Sequence, residues 1–432
     1  MKLIIHRGTA EIGGTCVEVF TEKSRIVIDF GLPLVNAKKE PFDSKVLIGK
    51  SPEELRGLKI LPSVSGLYKD EERSVDAILI SHSHMDHYGL LRYVHPGIPI
   101  YMSEGAKTLI EVSDIFTPHK IGKINTRIID KRKKLVIGDF EITPYLVDHS
   151  AFDALAFMIK ADGKQIFYSG DFRGHGRKNE LYRRMVSKPP KDIDCLLLEG
   201  SMIGRGEQLF KDEEAVQARI EKVLKANPNI KFLFASSQNI DRIVSAYKAC
   251  LKTNHVFVID IYTAYILDCL RKVSKHIPQF NWKNIRVKFL KSHADSLAQN
   301  ASVKLLYAYN ARKIEIDEIN AIKDKVLMLA RDNSIFPMLV RNIKGIEGAK
   351  IIYSMWDGYL TDKFKNFIDQ KGLDIETVHT SGHAAVIDLK AFASAVNPRV
   401  LVPIHTFHSD RYSEMFENVQ VLGDGEMLEV SS

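Results

Sequence analysis

The sequence lacks the features that mark disulfide-rich, membrane-spanning or disordered chains. It has four cysteines in 432 residues, and none of them stands in a Cys-x-x-Cys pair. We therefore expect them to pack in the core of a protein from a reducing compartment. No apolar run approaches the roughly 18 residues that a membrane span needs, and the opening MKLIIHRGTAEIGG does not resemble a secretory signal. These absences predict a folded cytoplasmic protein with no membrane partner.

Acidic residues are scarce in several stretches of this chain, whose net charge is +7. Residues 271–313 carry ten Lys and Arg against a single acid, Asp295. A positive field attracts polyphosphates, so this stretch is a candidate for binding the backbone of a nucleic acid. The alternative, a solvated lysine-rich surface, fits the composition equally well.

The order of predicted elements divides the chain into parts. Up to about residue 203, short strands alternate with glycine-containing turns, as in LIIHRG, CVEVF and RIVIDFG. From about residue 204, strands alternate with long amphipathic helices, which is typical of a parallel α/β domain. We therefore expect a second domain of parallel α/β type to begin at about residue 204.

Four residues with metal-binding side chains lie together directly after a predicted buried strand. His82, His84, Asp86 and His87 form the pattern H-x-H-x-D-H. Neutral imidazole and carboxylate are ligands that zinc prefers. Alternate positions let His82 and His84 project to one side, while Asp86 and His87 turn toward a neighbouring point. The spacing therefore predicts two metal ions rather than one.

Three further candidate ligands follow other predicted strands. His149 ends YLVDHS, His405 ends VLVPIH, and Asp171 in FYSGDF supplies a carboxylate able to bridge two ions. A single histidine at the end of a strand is more often structural. The whole set predicts a metal centre.

These motifs resemble those of the metallo-β-lactamase superfamily, with Asp29 in IDFG matching the first of them. The resemblance implies a four-layer αββα fold with two Zn²⁺, with Mn²⁺ as an alternative. It also implies that His82, His84 and His149 hold one ion, that Asp86, His87 and His405 hold the other, and that Asp171 bridges them. Asp29 is expected to orient ligands rather than to bind metal.

Three further features resemble the β-CASP nucleases, the branch that includes ribonuclease J. They are Glu199 in DCLLLEGS, His383 in HTSGHA, and His405 in PIH, 22 residues after His383. The resemblance implies that residues 1–203 form the first part of a metallo-β-lactamase domain, that residues 204–374 are an α/β insertion in the place of the β-CASP domain, and that residues 375–432 complete the first domain. The resemblance implies that Asp86, Glu199 and His383 take part in catalysis, with His383 as the general acid held by Glu199.

The resemblance also names residues that contact the substrate. In such proteins a loop like residues 236–239, together with HTSGHA, contacts phosphates, which implies roles for Ser237, Asn239, His379 and Ser381. The alternatives are an ordinary helix cap for the first pair and a turn histidine for His379. The chain departs from the family in His405-Thr406-Phe407, which stands where the family has H-G-E, so the lip of the site should differ.

The leading hypothesis for function is a zinc-dependent nuclease acting on single-stranded RNA from the 5′ end, with endonuclease activity beside it. A DNA nuclease of the same fold is one alternative, since recognition of the 2′-hydroxyl depends on details of the cleft. A weakly catalytic RNA-binding subunit of a processing complex is another. A homodimer is one expectation. Ribonuclease J carries a further domain after the last of these motifs, whereas this chain ends 27 residues after His405, which puts the usual oligomer of the family in doubt.

Overall fold

A computed structural model describes residues 1–36, 39–206 and 208–431 of the chain. The strands of the first part are β1 (Lys2–Arg7), β2 (Cys16–Phe20), β3 (Arg25–Ile28), β4 (Ala77–Leu79), β5 (Ile100–Met102), β6 (Thr126–Ile128), β7 (Leu135–Ile137), β8 (Phe140–Leu146), β9 (Leu155–Ala161), β10 (Lys164–Tyr168) and β11 (Cys195–Glu199). Its helices are α1 (Pro52–Gly57), α2 (Met85–Tyr88), α3 (Glu104–Phe116) and α4 (Asn179–Ser187), with 3-10 helices at Ser44–Leu47 and Leu91–Tyr93.

The insertion alternates helices and strands, as expected from its sequence. Its helices are α5 (Glu213–Ala226), α6 (Ile240–Thr253), α7 (Ile261–Leu270), α8 (Lys291–Asn300), α9 (Val303–Asn310), α10 (Ile316–Ala321), α11 (Ile335–Arg341) and α12 (Asp362–Gln370), with 3-10 helices at Lys323–Lys325 and Asp357–Tyr359. Its strands are β12 (Lys231–Phe234), β13 (Val256–Asp260), β14 (Ile285–Lys288), β15 (Val326–Ala330), β16 (Lys350–Tyr353) and β17 (Asp374–Thr377). The chain closes with α13 (Val386–Val396), β18 (Val400–Ile404), a 3-10 helix at Ser409–Glu414, and β19 (Met427–Glu429).

Two mixed sheets form the centre of the first domain. One has the order β19-β1-β2-β3-β4-β5-β6 and the other β18-β11-β10-β9-β8-β7. Their inner faces share one core, in which Leu3 and Val17 of the first sheet lie with Phe157 of the second. Apolar faces of both sheets are thereby removed from water, which is the main driving force for this packing.

Helices cover the outer face of each sheet. Ala106 and Ile110 of α3 pack with Ile100 of the first sheet, whereas Leu389 and Phe392 of α13 pack on the second. The layers therefore run helix, sheet, sheet, helix, and the αββα prediction is confirmed. β18 and β19 come from the end of the chain, so residues beyond the insertion complete both sheets.

The insertion is a separate parallel sheet of order β14-β13-β15-β12-β16-β17. One face packs on α5, α6 and α7, and the other on α11 and α12. The boundary that we expected after residue 374 falls inside β17, because Asp374–Thr377 pairs with β16 along its whole length. The insertion's sheet thus extends to Thr377. In sheets of this kind, ligands bind beyond the carboxyl ends of the strands.

The cysteines lie as the sequence predicts. Cys16, Cys195 and Cys250 are buried, Cys269 is partly buried, and all four are free thiols. Within the described ranges, every helix is too short or too polar to cross a lipid bilayer.

Candidate metal centre

The H-x-H-x-D-H loop begins three residues after the end of β4 and is held by close backbone contacts. Phe30 N donates to His87 O over 2.8 Å, and Leu32 N donates to Met85 O over 2.9 Å. A Cβ atom at Gly31 would lie 1.6 Å from Asp86 O. Only glycine permits this approach, which explains the glycine of the IDFG motif.

Three histidines converge on one point, which we call subsite 1 (His82, His84 and His149). His84 Nδ1 lies 3.2 Å from His82 Nε2 and 3.2 Å from His149 Nε2. Nitrogen ligands of a tetrahedral zinc ion, bound at about 2.0–2.1 Å, stand about 3.3 Å apart. The spacing of these imidazoles therefore fits a zinc ion.

A second group, subsite 2 (Asp86, His87 and His405), lies beside the first. Asp86 Oδ2 is 3.8 Å from His87 Nε2 and 3.7 Å from His405 Nε2. His405 follows β18 and has a left-handed backbone with φ of 55°. Such strained conformations are concentrated at functional sites, where the surrounding structure enforces them.

Asp171 lies between the two subsites. Its Oδ2 is 3.6 Å from His82 Nε2, 3.2 Å from His87 Nε2 and 3.5 Å from His405 Nε2. The Asp171 oxygen and both subsite 2 imidazole nitrogens are buried without a hydrogen-bond partner. Buried polar atoms nearly always have partners, so unpaired atoms that face one another fit a pair of cations.

A shell of hydrogen bonds orients these ligands, with Asp29 at its centre. Asp29 Oδ2 lies 2.8 Å from His87 Nδ1 and accepts from Ser81 Oγ over 2.7 Å and from Tyr168 Oη over 2.6 Å. A proton on His87 Nδ1 leaves the Nε2 lone pair facing the subsite. Asp29 therefore fixes the orientation of the His87 imidazole, a candidate ligand.

Two of the orienting groups around the centre were missed at the sequence level. Tyr168 ends β10 and donates to Asp29, and Thr15 Oγ1 lies 2.9 Å from His405 Nδ1. Neither residue stands in a spaced motif. For Tyr168 the available signal was its place at the end of a strand, three residues before Asp171.

Electrostatics keep most of the imidazoles neutral, as metal ligands must be. Burial lowers the pKa of His82 and His149 well below the usual value, and that of His84 to about 4. Burial opposes the charged form of Asp171, but the imidazoles of His405 and His87 outweigh it and lower the pKa of this carboxyl. Subsite 1 thus offers neutral nitrogens beside a charged carboxylate, whereas at subsite 2 the carboxylates of Asp171 and Asp29 outweigh burial and raise the pKa of His87.

His383 lies at the edge of the centre, between two carboxylates. Its Nδ1 is 3.6 Å from Glu199 Oε1 and 3.7 Å from Asp171 Oδ2, and 20% of its side chain is exposed. Glu199 is fixed by Ser201 N at 2.9 Å and Ala384 N at 3.2 Å. Burial disfavours the imidazolium, but Asp171 and Glu199 outweigh it and raise the pKa of His383.

The HTSGHA segment is packed directly against subsite 1. Gly382 O lies 2.5 Å from His149 Nδ1, and a Cβ atom at Gly382 would lie 2.3 Å from Ser150 Oγ. Ser381 Oγ accepts from His383 N over 3.0 Å, whereas His379 Nδ1 lies 3.4 Å from Arg242 Nη1. Burial, with the Arg242 charge, lowers the pKa of His379 to about 3.

The two residues expected from the 236–239 loop have internal partners. Ser237 is 1% exposed, and its hydroxyl lies 2.7 Å from Thr263 Oγ1 and also contacts Arg331. Asn239 caps α6, its side chain accepting from Arg242 N over 3.1 Å. These contacts favour the structural alternative for both residues, so we do not assign them to phosphate binding.

Five of the ten Lys and Arg residues in the stretch 271–313 form ion pairs with acids outside it. Arg286 lies 2.9 Å from Glu318, and Lys288 lies 3.4 Å from Glu315. The other pairs are Lys313 with Glu315, Arg271 with Asp268, and Lys272 with Glu104. The ten-to-one ratio of the linear sequence therefore does not describe an unpaired basic surface.

Known proteins share both the domain and the overall organisation. A family model described as a beta-lactamase superfamily domain matches residues 46–227. Ribonuclease J of Helicobacter pylori is 24% identical over 451 aligned residues, which cover 100% of this chain and 61% of the relative. Ribonuclease J of Sinorhizobium meliloti is 23% identical, covering 88% of this chain and 67% of the relative. The chain thus spans about 61% of the length of the Helicobacter protein.

A solved structure supports the same fold. A protein of unknown function from Enterococcus faecalis V583 superposes with a TM-score of 0.79, at 22% identity and 99% coverage of both chains. The αββα layers, the inserted parallel sheet, the family model and the full-length similarity to ribonuclease J agree with one another. The chain carries a beta-lactamase superfamily domain over residues 46–227, and over its whole length it resembles ribonuclease J, a β-CASP nuclease.

Proposed function

We propose that this protein is a dinuclear zinc nuclease that hydrolyses phosphodiester bonds in single-stranded RNA. The observation that carries the proposal is the convergence of seven candidate ligands into two adjacent subsites that share Asp171. Imidazole-rich sites suit zinc, and Mn²⁺ remains the alternative ion. When bound, two such ions would polarise the phosphodiester and lower the pKa of a water molecule, so that hydroxide would be available as the nucleophile at neutral pH.

The residues of the chain supply orientation and a proton. Asp29 and Thr15 fix imidazoles of subsite 2, so that these ligands need not reorganise during the reaction. His383, held near Glu199, donates a proton to the leaving oxygen. Asp86 takes part in catalysis as one of the residues that would hold the ion of subsite 2.

RNA is favoured over DNA by the curated relatives, both of which are named ribonuclease J. Within this proposal, 5′-to-3′ exonuclease activity is the main reaction and endonuclease activity accompanies it. A weakly catalytic subunit is disfavoured, because each expected ligand is present and lies in a subsite. We place the protein in the cytoplasm, a proposal supported by its free thiols. Homodimerisation stays a prediction that light scattering of the purified chain would check.

The test is cleavage of matched RNA and DNA strands by metal-loaded protein. Each strand is prepared with a 5′-monophosphate, a 5′-triphosphate or a 5′-hydroxyl, and is labelled at the 3′ end. An Asp171→Ala variant serves as the control for contaminating nucleases. We expect RNA to be shortened from the 5′ end, with a preference among the three ends. Preferential cleavage of DNA would establish the alternative, and no cleavage of either strand would refute the proposal.

A further inference from the structure

Two large aromatic side chains are exposed beyond the carboxyl end of β16. Trp356 is 46% exposed and Tyr359 is 60% exposed, and their rings meet nearly at right angles with centroids 5.3 Å apart. A single exposed aromatic residue needs no explanation, but exposed aromatic residues that are in contact form an apolar patch of the kind that marks binding sites. The proposed chemistry does not use either residue.

The pair is held by a cation and by the backbone. The Arg205 guanidinium lies 4.8 Å from the centroid of the Trp356 ring. A Cβ atom at Gly358 would lie 2.4 Å from the indole, so the ring packs closely on this glycine. Thr377 Oγ1 donates to Asp357 Oδ1 over 3.0 Å and ties the segment to β17. We call Arg205, Trp356 and Tyr359 the aromatic lip.

The aromatic lip lies near the segment that follows His405 of subsite 2, because Gly204, which precedes Arg205, packs against His408. Burial raises the pKa of Tyr359, and the Asp86 carboxylate of subsite 2 raises it further. Arg205 likewise experiences the charge of Glu199. The approach of Gly204 to His408 is close, since a Cβ atom at Gly204 would lie 2.3 Å from His408 Nε2, and His408 stands three residues after His405.

This is the part of the site where the sequence departs from its family. Phe407 stands in the segment that follows His405, and Lys39 Nζ lies 5.9 Å from the centroid of its ring. Phe407, which pairs with Lys39, thus lies just after His405 of subsite 2. Aromatic rings accompanied by cations are the means by which proteins hold unpaired bases.

We propose that the aromatic lip is a stacking site for an unpaired nucleobase of the substrate, next to the phosphate bound at subsite 2. The inference rests on the proposed function, because it needs a single strand to enter the metal centre. The Trp356 and Tyr359 rings offer stacking surface, and Arg205 adds a cation–π contact and a charge for the adjoining phosphate. Because every base has a π-face, the site selects unpaired strands with little preference for sequence.

The test compares affinity for a short labelled RNA with affinity for the same ribose-phosphate strand lacking bases. Binding is measured with the full metal-loaded chain carrying His383→Ala, so that the strand stays intact. Trp356→Ala should weaken RNA binding by about tenfold, in line with the usual worth of one stacked base. It should leave binding of the baseless strand unchanged. Trp356→Phe should recover most of the loss, and Arg205→Met should weaken both strands.

Tyr307→Ala is the matched control, since Tyr307 is an exposed aromatic on α9. Equal RNA affinity in the Trp356→Ala and Tyr307→Ala variants would overturn the stacking site. Equal weakening of RNA and the baseless strand by Trp356→Ala would overturn it as well, because the contact would then be to the backbone. Failure of the proposed function gives a different result: the parent with His383 intact cleaves neither RNA nor DNA.

Discussion

Arg173 and Asp241 form a buried ion pair between the two domains, in which Nη2 of the guanidinium donates to Oδ2 of the carboxylate over 2.6 Å. Arg173 stands two residues after Asp171, whereas Asp241 lies on α6 of the insertion. The same guanidinium donates to Ser381 O over 3.0 Å and lies 3.4 Å from Glu213 Oε1. One side chain thus joins the loop of the bridging ligand to both the insertion and the HTSGHA segment.

Replacing Arg173 by Met should destabilise the protein strongly. The change leaves Asp148, Asp241 and Glu213 with less compensation in a buried environment, and loss of one partner from such a pair typically costs about 3–5 kcal/mol. Urea unfolding of the metal-free protein measures the effect. Arg399→Met is the control, because the Arg399 side chain is 64% exposed and its pair with Asp194 should contribute less than about 1 kcal/mol. Equal losses of unfolding free energy in the two variants would contradict the proposed role of Arg173 in joining the domains.

The same network predicts a loss of stability in acid. Burial alone would raise the pKa of Glu213, but Arg242 and Arg173 outweigh it and lower the pKa from 4.5 to about 2. A carboxyl with a depressed folded-state pKa stabilises the protein fully above its unfolded value, and this stability is lost as pH falls from about 4.5 to about 2. The loss should be on the order of 3 kcal/mol.

Unfolding free energies of the metal-free chain over this pH range test that prediction, since removal of the ions beforehand prevents their acid release from contributing. Glu213→Gln should lower stability at neutral pH and flatten the dependence below pH 4.5. If the unfolding free energy of the variant falls with pH as steeply as that of the parent, other carboxyl groups cause the loss of stability in acid.

Asp29→Asn should weaken metal binding at subsite 2 more than at subsite 1. Asp29 orients His87 of subsite 2 directly, and such orienting partners are typically worth about 10–100-fold in metal affinity. Competition with a chromogenic chelator gives the two affinities. Tyr168→Phe is the milder comparison, because it removes one of the hydrogen bonds to Asp29 and leaves the carboxylate. Equal weakening of both subsites by Asp29→Asn would contradict the assignment.

His383→Ala should separate proton transfer from metal binding. We expect two ions per chain in the variant and a chemical step slower by about 10²–10⁴-fold, the usual contribution of a positioned general acid. Single-turnover cleavage and elemental analysis of the same preparation provide both numbers. Loss of an ion from this variant would mean that His383 is a ligand, and its 3.7 Å distance from Asp171 makes this outcome worth measuring.

The sequence predicts those parts of the site that are built from local spacing. One part is the motif of His82, His84, Asp86 and His87, which are close in the chain. The other part is the set of residues that follow predicted strands, namely His149, Asp171 and His405. The Arg173 network was not predictable, because its carboxylate partners lie 25 to 68 residues away in the chain and the sequence does not distinguish a buried arginine from a surface arginine. In the same way, Glu318 and Glu315 pair with Arg286 and Lys288 from outside the basic stretch, which ends at residue 313. The sequence did not single out Trp356, because one aromatic residue in a loop belongs to no motif of recognisable spacing.

The central claim is that two ions act together on one phosphodiester. Titration of the metal-free chain with Zn²⁺, while the cleavage of labelled single-stranded RNA is followed, tests it most directly. The account predicts little cleavage up to one equivalent per chain, a rise between one and two, and a plateau at two. A plateau at one equivalent, or no cleavage at any ratio, would contradict it.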